Sequence, residues 1–341
     1  MNYKEPIYRQ QYSDFQRKGR IKRCFYCDRE TNVIASHSIS EKKCLKLLCE
    51  PVCLKKGVYG FRHVELSNTN WDKPFFFANF EVVGIQKAST FKGFCKNHDQ
   101  VLFKTIDENS FEKDSLEQCF LYCYRAFAKA VHTKNEELKS CSSHSTYREH
   151  NYEYIARRQE EIEIGITFDL GNYKTKMNKW LSDCNYTHLE HFYCKTNSFH
   201  PIATASFCQP TFTINNYRIN DYKDDSKPLN HIFINIIPEL ECTHVLFSCF
   251  KDQPQSLRFI TELKDIYEVD KECFGKFITS LLVIHTENTF IAPSLIDGLP
   301  TCERFNLLMK LRDAVTIDKQ YYLLDNPIDF SESVNLFTNK F

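Results

Sequence analysis

The chain has 341 residues, no formal net charge, 42% hydrophobic residues and 26% charged residues. This composition is typical of a soluble globular protein, and the length favours two domains over one. No apolar stretch approaches the roughly 18 residues of a membrane span, and zero net charge excludes a nucleic-acid-binding surface built from bulk charge.

The N-terminal segment is polar and basic. Its first ten residues, MNYKEPIYRQ, contain no apolar signal core, so we expect a cytoplasmic protein with no membrane contact whose cysteines are mostly reduced thiols or metal ligands. A basic run follows at residues 17–23, with five Lys or Arg side chains. This run is the best local candidate in the sequence for contact with nucleic acid.

Two cysteine-rich pairs stand far apart in the N-terminal third. The first is Cys24-Phe-Tyr-Cys27 and the second is Cys95-Lys-Asn-His98. A two-residue gap lets a tight turn present both ligands of a pair, and two such pairs supply the four ligands of a tetrahedral zinc ion. The spacing therefore predicts a structural Zn²⁺ site. Two alternatives are a chance coincidence among 16 cysteines and a redox dithiol at the first pair, which lacks the βαβ context of such motifs.

Short strands and one capped helix are predicted between the two pairs. A strand at 31–35 ends at Ser36-His37-Ser38, and Ser40 is a suitable N-cap for a short helix. Further strands are predicted at 58–64 and 80–85. His37, at a strand end between two serines, is either a functional histidine or a hydrogen-bonded turn residue.

Long helices are predicted in the middle of the chain. Apolar residues recur at three- and four-residue steps from 115 to 138, and a second helical region follows at 152–181. Arg125 lies inside the first apolar pattern, where it is either a salt-bridged arginine or a clamp for an anion. Residues 140–150 are rich in Ser and His and are typical of a connector.

The pattern changes after residue 186 to short aromatic and β-branched stretches. Strands are predicted at 188–193, 202–207, 211–214, 231–237 and 244–250, and helices at 257–266, 274–285 and 302–313. We therefore expect an α+β fold: an N-terminal zinc-bound treble clef, central long helices, and a C-terminal antiparallel sheet with helices on one side or end. The corresponding domains are 1–110, 111–185 and 186–341.

The stretches CFYCDRETNVIASHSIS and FCKNHDQVLF resemble the treble-clef module of HNH-type (His-Me finger) nucleases. The resemblance covers about the first hundred residues. It implies that the zinc is structural, that His37 is the general base, and that Asp99, directly after the last zinc ligand, holds a catalytic Mg²⁺ or Mn²⁺. The insertion between the two pairs is long for this family.

Two functions are consistent with these residues. One is a metal-dependent nuclease that cleaves DNA or RNA, with the C-terminal domain recognising a substrate, partner or trigger. Nucleases of this family often pair a cutting module with a sensor, which would suit a role in bacterial anti-phage defence. The alternative is a non-catalytic zinc-finger adaptor that binds nucleic acid or a protein partner. The environment of His37 should distinguish the two.

Overall fold

The computed structural model describes residues 17–68, 76–143, 156, 159–224, 226–315, 323, 325–330 and 333–341. Within them lie an eight-stranded sheet and a separate two-stranded sheet, both antiparallel, with helices packed on them. The predicted α+β class is confirmed.

The elements have the following bounds. The strands are β1 Val33–His37, β2 Glu50–Val52, β3 Lys55–Asn68, β4 Phe76–Val83, β5 Thr90–Cys95, β6 Leu189–Lys195, β7 Ile202–Cys208, β8 Ile232–Pro238, β9 Thr243–Phe250 and β10 Thr289–Ile291. The helices are α1 Lys46–Leu48, α2 Lys96–Leu102, α3 Lys104–Glu108, α4 Leu116–Ser143, α5 Gly171–Ser182, α6 Pro254–Val269, α7 Lys271–His285, α8 Pro293–Asp297 and α9 Thr301–Val315. Two π-helical segments, Glu41–Leu45 and Gly165–Leu170, lead into α1 and α5.

The small sheet is the antiparallel pair β1 and β5, which we call the β1–β5 hairpin although a long insertion joins its two strands. Val33 pairs with Cys95 at one end and His37 pairs with Thr90 at the other. Helix α2 begins directly after Cys95, so a ligand pair lies where the strand becomes a helix. This sequence of cysteine turn, strand pair and helix is the predicted treble-clef arrangement.

The large sheet combines strands from both ends of the chain. Its order is β2-β3-β10-β7-β8-β9-β6, with β4 on the free side of β3. The short strand β10 pairs with β3 on one side and with β7 on the other. Residues of the first and last predicted domains thus share one sheet, and the boundaries at 110 and 185 stay a prediction.

Helices cover both faces of the large sheet: the C-terminal helices α6, α7 and α9 pack on one face, as predicted, and the central helix α4 packs on the other. Every residue of β7, β8 and β9 is buried, which is the pattern of strands covered on both faces. On one face Ala203 and Ala205 belong to the same apolar cluster as Phe127 of α4. On the other face Ile202 and Ile234 belong to a second cluster with α6, α7 and α9. The alternation of side chains along each strand separates the two cores.

Helix α4 is the longest described helix and connects the two sheets. Its apolar side chains recur at helical spacing, and its buried face packs on β5 of the hairpin and on β7 and β8. Phe120 and Phe127, both fully buried, lie on this face. No helix in the described part of the chain is long and apolar enough to cross a membrane.

Candidate metal centre and the histidine at the opposite hairpin end

The two cysteine pairs meet as the sequence predicts. One ligand atom each from Cys24, Cys27, Cys95 and His98 lies within 4.8 Å of every other. His98 directs Nδ1 inward, 3.5 Å from Cys24 Sγ and 3.2 Å from Cys95 Sγ. Cys24 is buried and the other three are partly buried.

These separations fit a zinc ion. With Zn–S bonds of about 2.3 Å and Zn–N bonds of about 2.0–2.1 Å, tetrahedral geometry places sulfur and nitrogen ligands roughly 3.5 Å apart. Three thiolates and one imidazole form a common structural zinc set with no open position for substrate. The cluster could therefore hold a metal ion of the structural type, compatible with Zn²⁺.

The surroundings of Cys24 prepare it for a cation. Burial raises the pKa of the Cys24 thiol, and backbone hydrogen bonds from Cys27, Cys95 and Tyr26 oppose that shift by stabilising the thiolate. The Tyr26 ring lies 4.9 Å from the His98 ring, edge to face. Metal binding requires the thiolate, so the backbone donors lower the cost of releasing the proton.

An aromatic anchor fixes the cysteine turn on the core. Phe25 is buried, and its backbone N–H donates to the carbonyl of Gly93 at 2.7 Å. Its ring contacts three aromatic side chains, those of Phe94, Tyr124 and Phe127. Phe25, the first of the two residues between Cys24 and Cys27, therefore positions the turn against β5 and α4.

His37 lies at the opposite end of the same hairpin, and both its ring nitrogens face hydrogen-bond acceptors. Nδ1 is 3.1 Å from the carbonyl oxygen of Ala88, and Nε2 is 3.1 Å from Oε2 of Glu41. A neutral imidazole carries only one N–H, so only the doubly protonated ring satisfies both acceptors.

Burial opposes the doubly protonated form. Desolvation is the largest influence and lowers the pKa of His37, against the opposite effects of Glu41 and of the Ala88 carbonyl. Once His37 is neutral, one of its ring nitrogens carries no hydrogen, and that nitrogen then faces an acceptor oxygen with no hydrogen bond between them. Ala88 is fully buried, whereas 35% of the Glu41 side chain is exposed. Glu41 is therefore the partner that can turn away and uncover Nε2.

Asp99 follows the last zinc ligand in the first turn of α2. One carboxylate oxygen, Oδ1, is buried without a hydrogen-bond partner among the described residues. Its charge raises the pKa of His37, against the larger effect of burial. A buried carboxylate oxygen without a donor is costly unless a cation or water satisfies it. Asp99 does not join His37 in a described cluster of three metal-ligating groups.

Arg125 is salt-bridged rather than open to an anion. Its guanidinium donates to both carboxylate oxygens of Asp107, at 2.8 and 2.6 Å, and lies 4.1 Å from the centre of the Phe103 ring. The side chain of Arg125 is almost fully buried. Of the two interpretations of Arg125, the structure therefore supports the internal ion pair.

A buried polar network supports the backbone next to His37. Ser38 and Ser89 share a hydroxyl contact at 3.1 Å, and Ser89 Oγ accepts from the N–H of Ile39 at 2.7 Å. Asn288 donates from Nδ2 to Ser38 Oγ at 2.9 Å and to the carbonyl of Ala205 at 2.8 Å. The large sheet thus holds the end of β1 through one side chain.

Sequence reasoning missed Glu41 and Asn288. Glu41 had a local signal, because a glutamate four residues after a histidine lies on the same side of a helical turn. Asn288 had none, since it lies 250 positions from its partner Ser38. His188 and His191 lie three residues apart but form no metal site among the described residues: His191 contacts Ser248, and His188 stacks on Trp180.

The chain matches no known protein family, and no curated protein or solved structure shows significant similarity to it. The likeness to His-Me nucleases therefore rests on the two sequence motifs and on the order of the elements that carry them.

Proposed function

We propose that this protein is a metal-dependent nuclease that hydrolyses phosphodiester bonds, with His37 as general base and Asp99 as ligand of the catalytic cation. One observation carries the proposal. A histidine with one nitrogen fixed by a backbone carbonyl lies at the strand end of a hairpin whose other end gathers four zinc-type ligands.

The Ala88 carbonyl selects the reactive nitrogen of His37. In the neutral ring with hydrogen on Nδ1, the lone pair is on Nε2, which Glu41 can uncover. Nε2 then removes a proton from water, the water oxygen attacks phosphorus, and the P–O bond to the departing oxygen breaks. The departing oxygen takes a proton from solvent, so the atoms and charges balance.

Burial keeps this base available near neutral pH. Because desolvation lowers the pKa of His37 below its ordinary value, the ring is mostly neutral at pH 7. A Mg²⁺ or Mn²⁺ ion held by Asp99 would polarise the phosphate and stabilise the departing oxygen. The buried Oδ1 of Asp99, which has no described partner, fits that role. The zinc-type cluster, being fully ligated, keeps the hairpin in shape.

The test is a cleavage assay on DNA and RNA, with and without Mg²⁺ or Mn²⁺. We expect His37→Ala to lower the rate about 100- to 10,000-fold, the usual loss on removing a general base, while zinc stays bound. His188→Ala is the matched control, because His188 is also a half-buried histidine but stacks on Trp180 at 4.3 Å, outside the site. Asp99→Ala should lose activity that excess Mg²⁺ partly restores.

Two results would contradict the proposal. Full cleavage by His37→Ala would remove His37 from catalysis. Absence of cleavage of any DNA or RNA by the wild-type chain would favour the alternative, a zinc-organised adaptor. The cytoplasmic location and the role in anti-phage defence stay predictions.

A further inference from the structure

A lysine-lined cleft lies beside the His37–Glu41 pair. Its volume is about 620 Å³. Its lining consists of Glu41, Lys42, Lys46, Cys49, Lys56, Gly84, Ile85, Gln86 and Lys87. All of these residues come from the insertion between β1 and β5, which is the part of the chain that departs most from a minimal treble clef.

The four lysines of this cleft are exposed, and none forms an ion pair with a residue that the structure describes. Arg23 in the basic run at 17–23 differs in this respect, because it lies 3.6 Å from Asp28 and 3.7 Å from Glu30. Four lysines against the single carboxylate of Glu41 leave the lining of the cleft with a net positive charge, which produces a positive local potential.

The cleft is continuous with the proposed catalytic centre. Glu41 lines the cleft and also contacts His37 Nε2. A ligand bound to the lysines would therefore lie next to the carboxylate that contacts the reactive nitrogen. The position of the cleft gains its meaning from the proposed function, although binding can be measured without cleavage.

We infer that this cleft binds the phosphate backbone of double-stranded nucleic acid. Lysine is a compact, flexible point charge suited to phosphate oxygens, and phosphate contacts fix a duplex in place without reading its sequence. Binding of single strands depends on aromatic side chains on which bases stack. The lining contains no aromatic residue, so the chemistry favours a stacked duplex whose bases remain paired.

The test measures binding of His37→Ala protein, without added Mg²⁺ or Mn²⁺, to a fluorescein-labelled 20-base-pair duplex. The duplex is offered as DNA and as RNA of the same sequence, and the DNA single strand is the comparison. If all four lysines contact phosphates, the logarithm of the DNA-duplex association constant should fall with the logarithm of salt concentration at a slope of about −3.6. We expect the duplexes to bind more tightly than the single strand.

Two double variants assign the contacts. Lys42→Ala with Lys46→Ala removes the two lysines of the helical segment, and Lys56→Ala with Lys87→Ala removes those of β3 and of the turn before β5. Each pair should reduce the steepness of the salt slope by about 1.8. The matched control is Lys195→Ala with Lys264→Ala, two exposed lysines away from the cleft, which should leave the slope unchanged. Zinc content should be equal in all variants.

A charge-neutral variant separates occupancy of the cleft from net charge. Nothing lies within 4 Å of the position that a Cβ atom of Gly84 would take. A side chain can therefore begin at this position without a clash at Cβ, and Gly84→Tyr adds a bulky group to the lining of the cleft. This variant should weaken duplex binding while all four lysines remain.

The outcomes separate this inference from the nuclease proposal. Lysine-dependent duplex binding without cleavage by the wild-type chain supports the cleft and removes the nuclease. Cleavage with unchanged binding by both double variants overturns the cleft and keeps the nuclease. Equal affinity for duplex and single strand, or no duplex binding at all, also overturns the inference.

Discussion

The two ends of the β1–β5 hairpin use similar side chains in opposite ways. At the Cys95 end, four ligand atoms converge on one point at separations that a zinc ion satisfies. At the His37 end, the ring contacts two acceptors that its neutral form cannot satisfy together. Zinc binding would satisfy all four side chains at the Cys95 end, whereas a neutral His37 leaves one of its two acceptors without a hydrogen bond. This difference is the reason why we assign a structural role to the Cys95 end and propose a catalytic role for the His37 end.

The largest effect is expected at the metal end. Replacing Cys24 or Cys95 by Ser should release the zinc and unfold the region around the hairpin, because structural zinc sites contribute apparent binding free energies of about 10–16 kcal/mol in zinc-finger peptides. Metal analysis should find about one zinc per wild-type chain and hydrogen exchange should report the lost structure. Cys53→Ser, at an exposed thiol outside the cluster, is the control. Unchanged zinc in both ligand variants would refute the site.

The second effect concerns the ion pair between Arg125 of α4 and Asp107 of α3. Arg125→Ala should lower the free energy of unfolding by about 3 kcal/mol, because it leaves Asp107 without its partner in a partly buried place. The double change with Asp107→Asn should cost less than the sum of the single changes. Denaturant unfolding of the zinc-loaded protein measures both. Loss of activity without loss of stability would instead make Arg125 a clamp for substrate.

The third effect concerns three histidines that lie in or next to strands of the large sheet. Burial lowers the pKa of His191 to about 4 and those of His200 and His231 to about 3. As the pH falls below about 6.5, these three histidines are protonated in the unfolded chain but stay neutral in the folded chain. The free energy of unfolding therefore falls with the pH. Between pH 7.5 and 6.0 the three sites together should cost about 2 kcal/mol.

Unfolding midpoints across that pH range measure this loss. His200→Leu should remove about one third of the dependence, since the ring lies buried against Phe337 and a leucine does not titrate. A pH dependence equal to that of the wild type would contradict the neutral state of His200.

The smallest effect is expected at the link between sheet and hairpin. Asn288→Ala removes donors to Ser38 and Ala205 and should cost about 1–2 kcal/mol. Asn220→Ala is the matched control, because Asn220 is a buried asparagine whose Nδ2 also donates to two acceptors, the carbonyls of Pro210 and Asn230. Only the change at Asn288 should shift the His37 ring resonances in NMR spectra. Equal spectra would separate the network from His37.

Much of the fold could be predicted from local patterns. The zinc ligands, helix α4 and strands β6 to β9 follow from spacing and periodicity, which depend on neighbours in sequence. Residues 211–214 form only an isolated bridge between Phe212 and Arg218, so the predicted strand there is wrong. An isolated β-branched stretch has the composition of a strand but here lacks a partner along its length.

The features that the sequence did not predict depend on residues that lie far apart along the chain. Strand β10 has only three residues, and its identity comes from pairing with β3 and β7 rather than from its own pattern. The lysine cleft likewise combines positions 41–56 with 84–87, so the sequence drew attention to the more compact basic run at 17–23. The partner of His37 was within reach of sequence reasoning, and its supporting Asn288 was not.

The place of β10 in the sheet has a consequence for biosynthesis. Strand β3 emerges from the ribosome early and β10 late, yet β10 fills the gap between β3 and β7. Until then two strand edges remain open, and open edges invite pairing with other chains. Asn288, the residue just before β10, completes the support of Ser38 at the same moment. The hairpin end that bears His37 thus gains this support only after the whole segment between β3 and β10 has been synthesised.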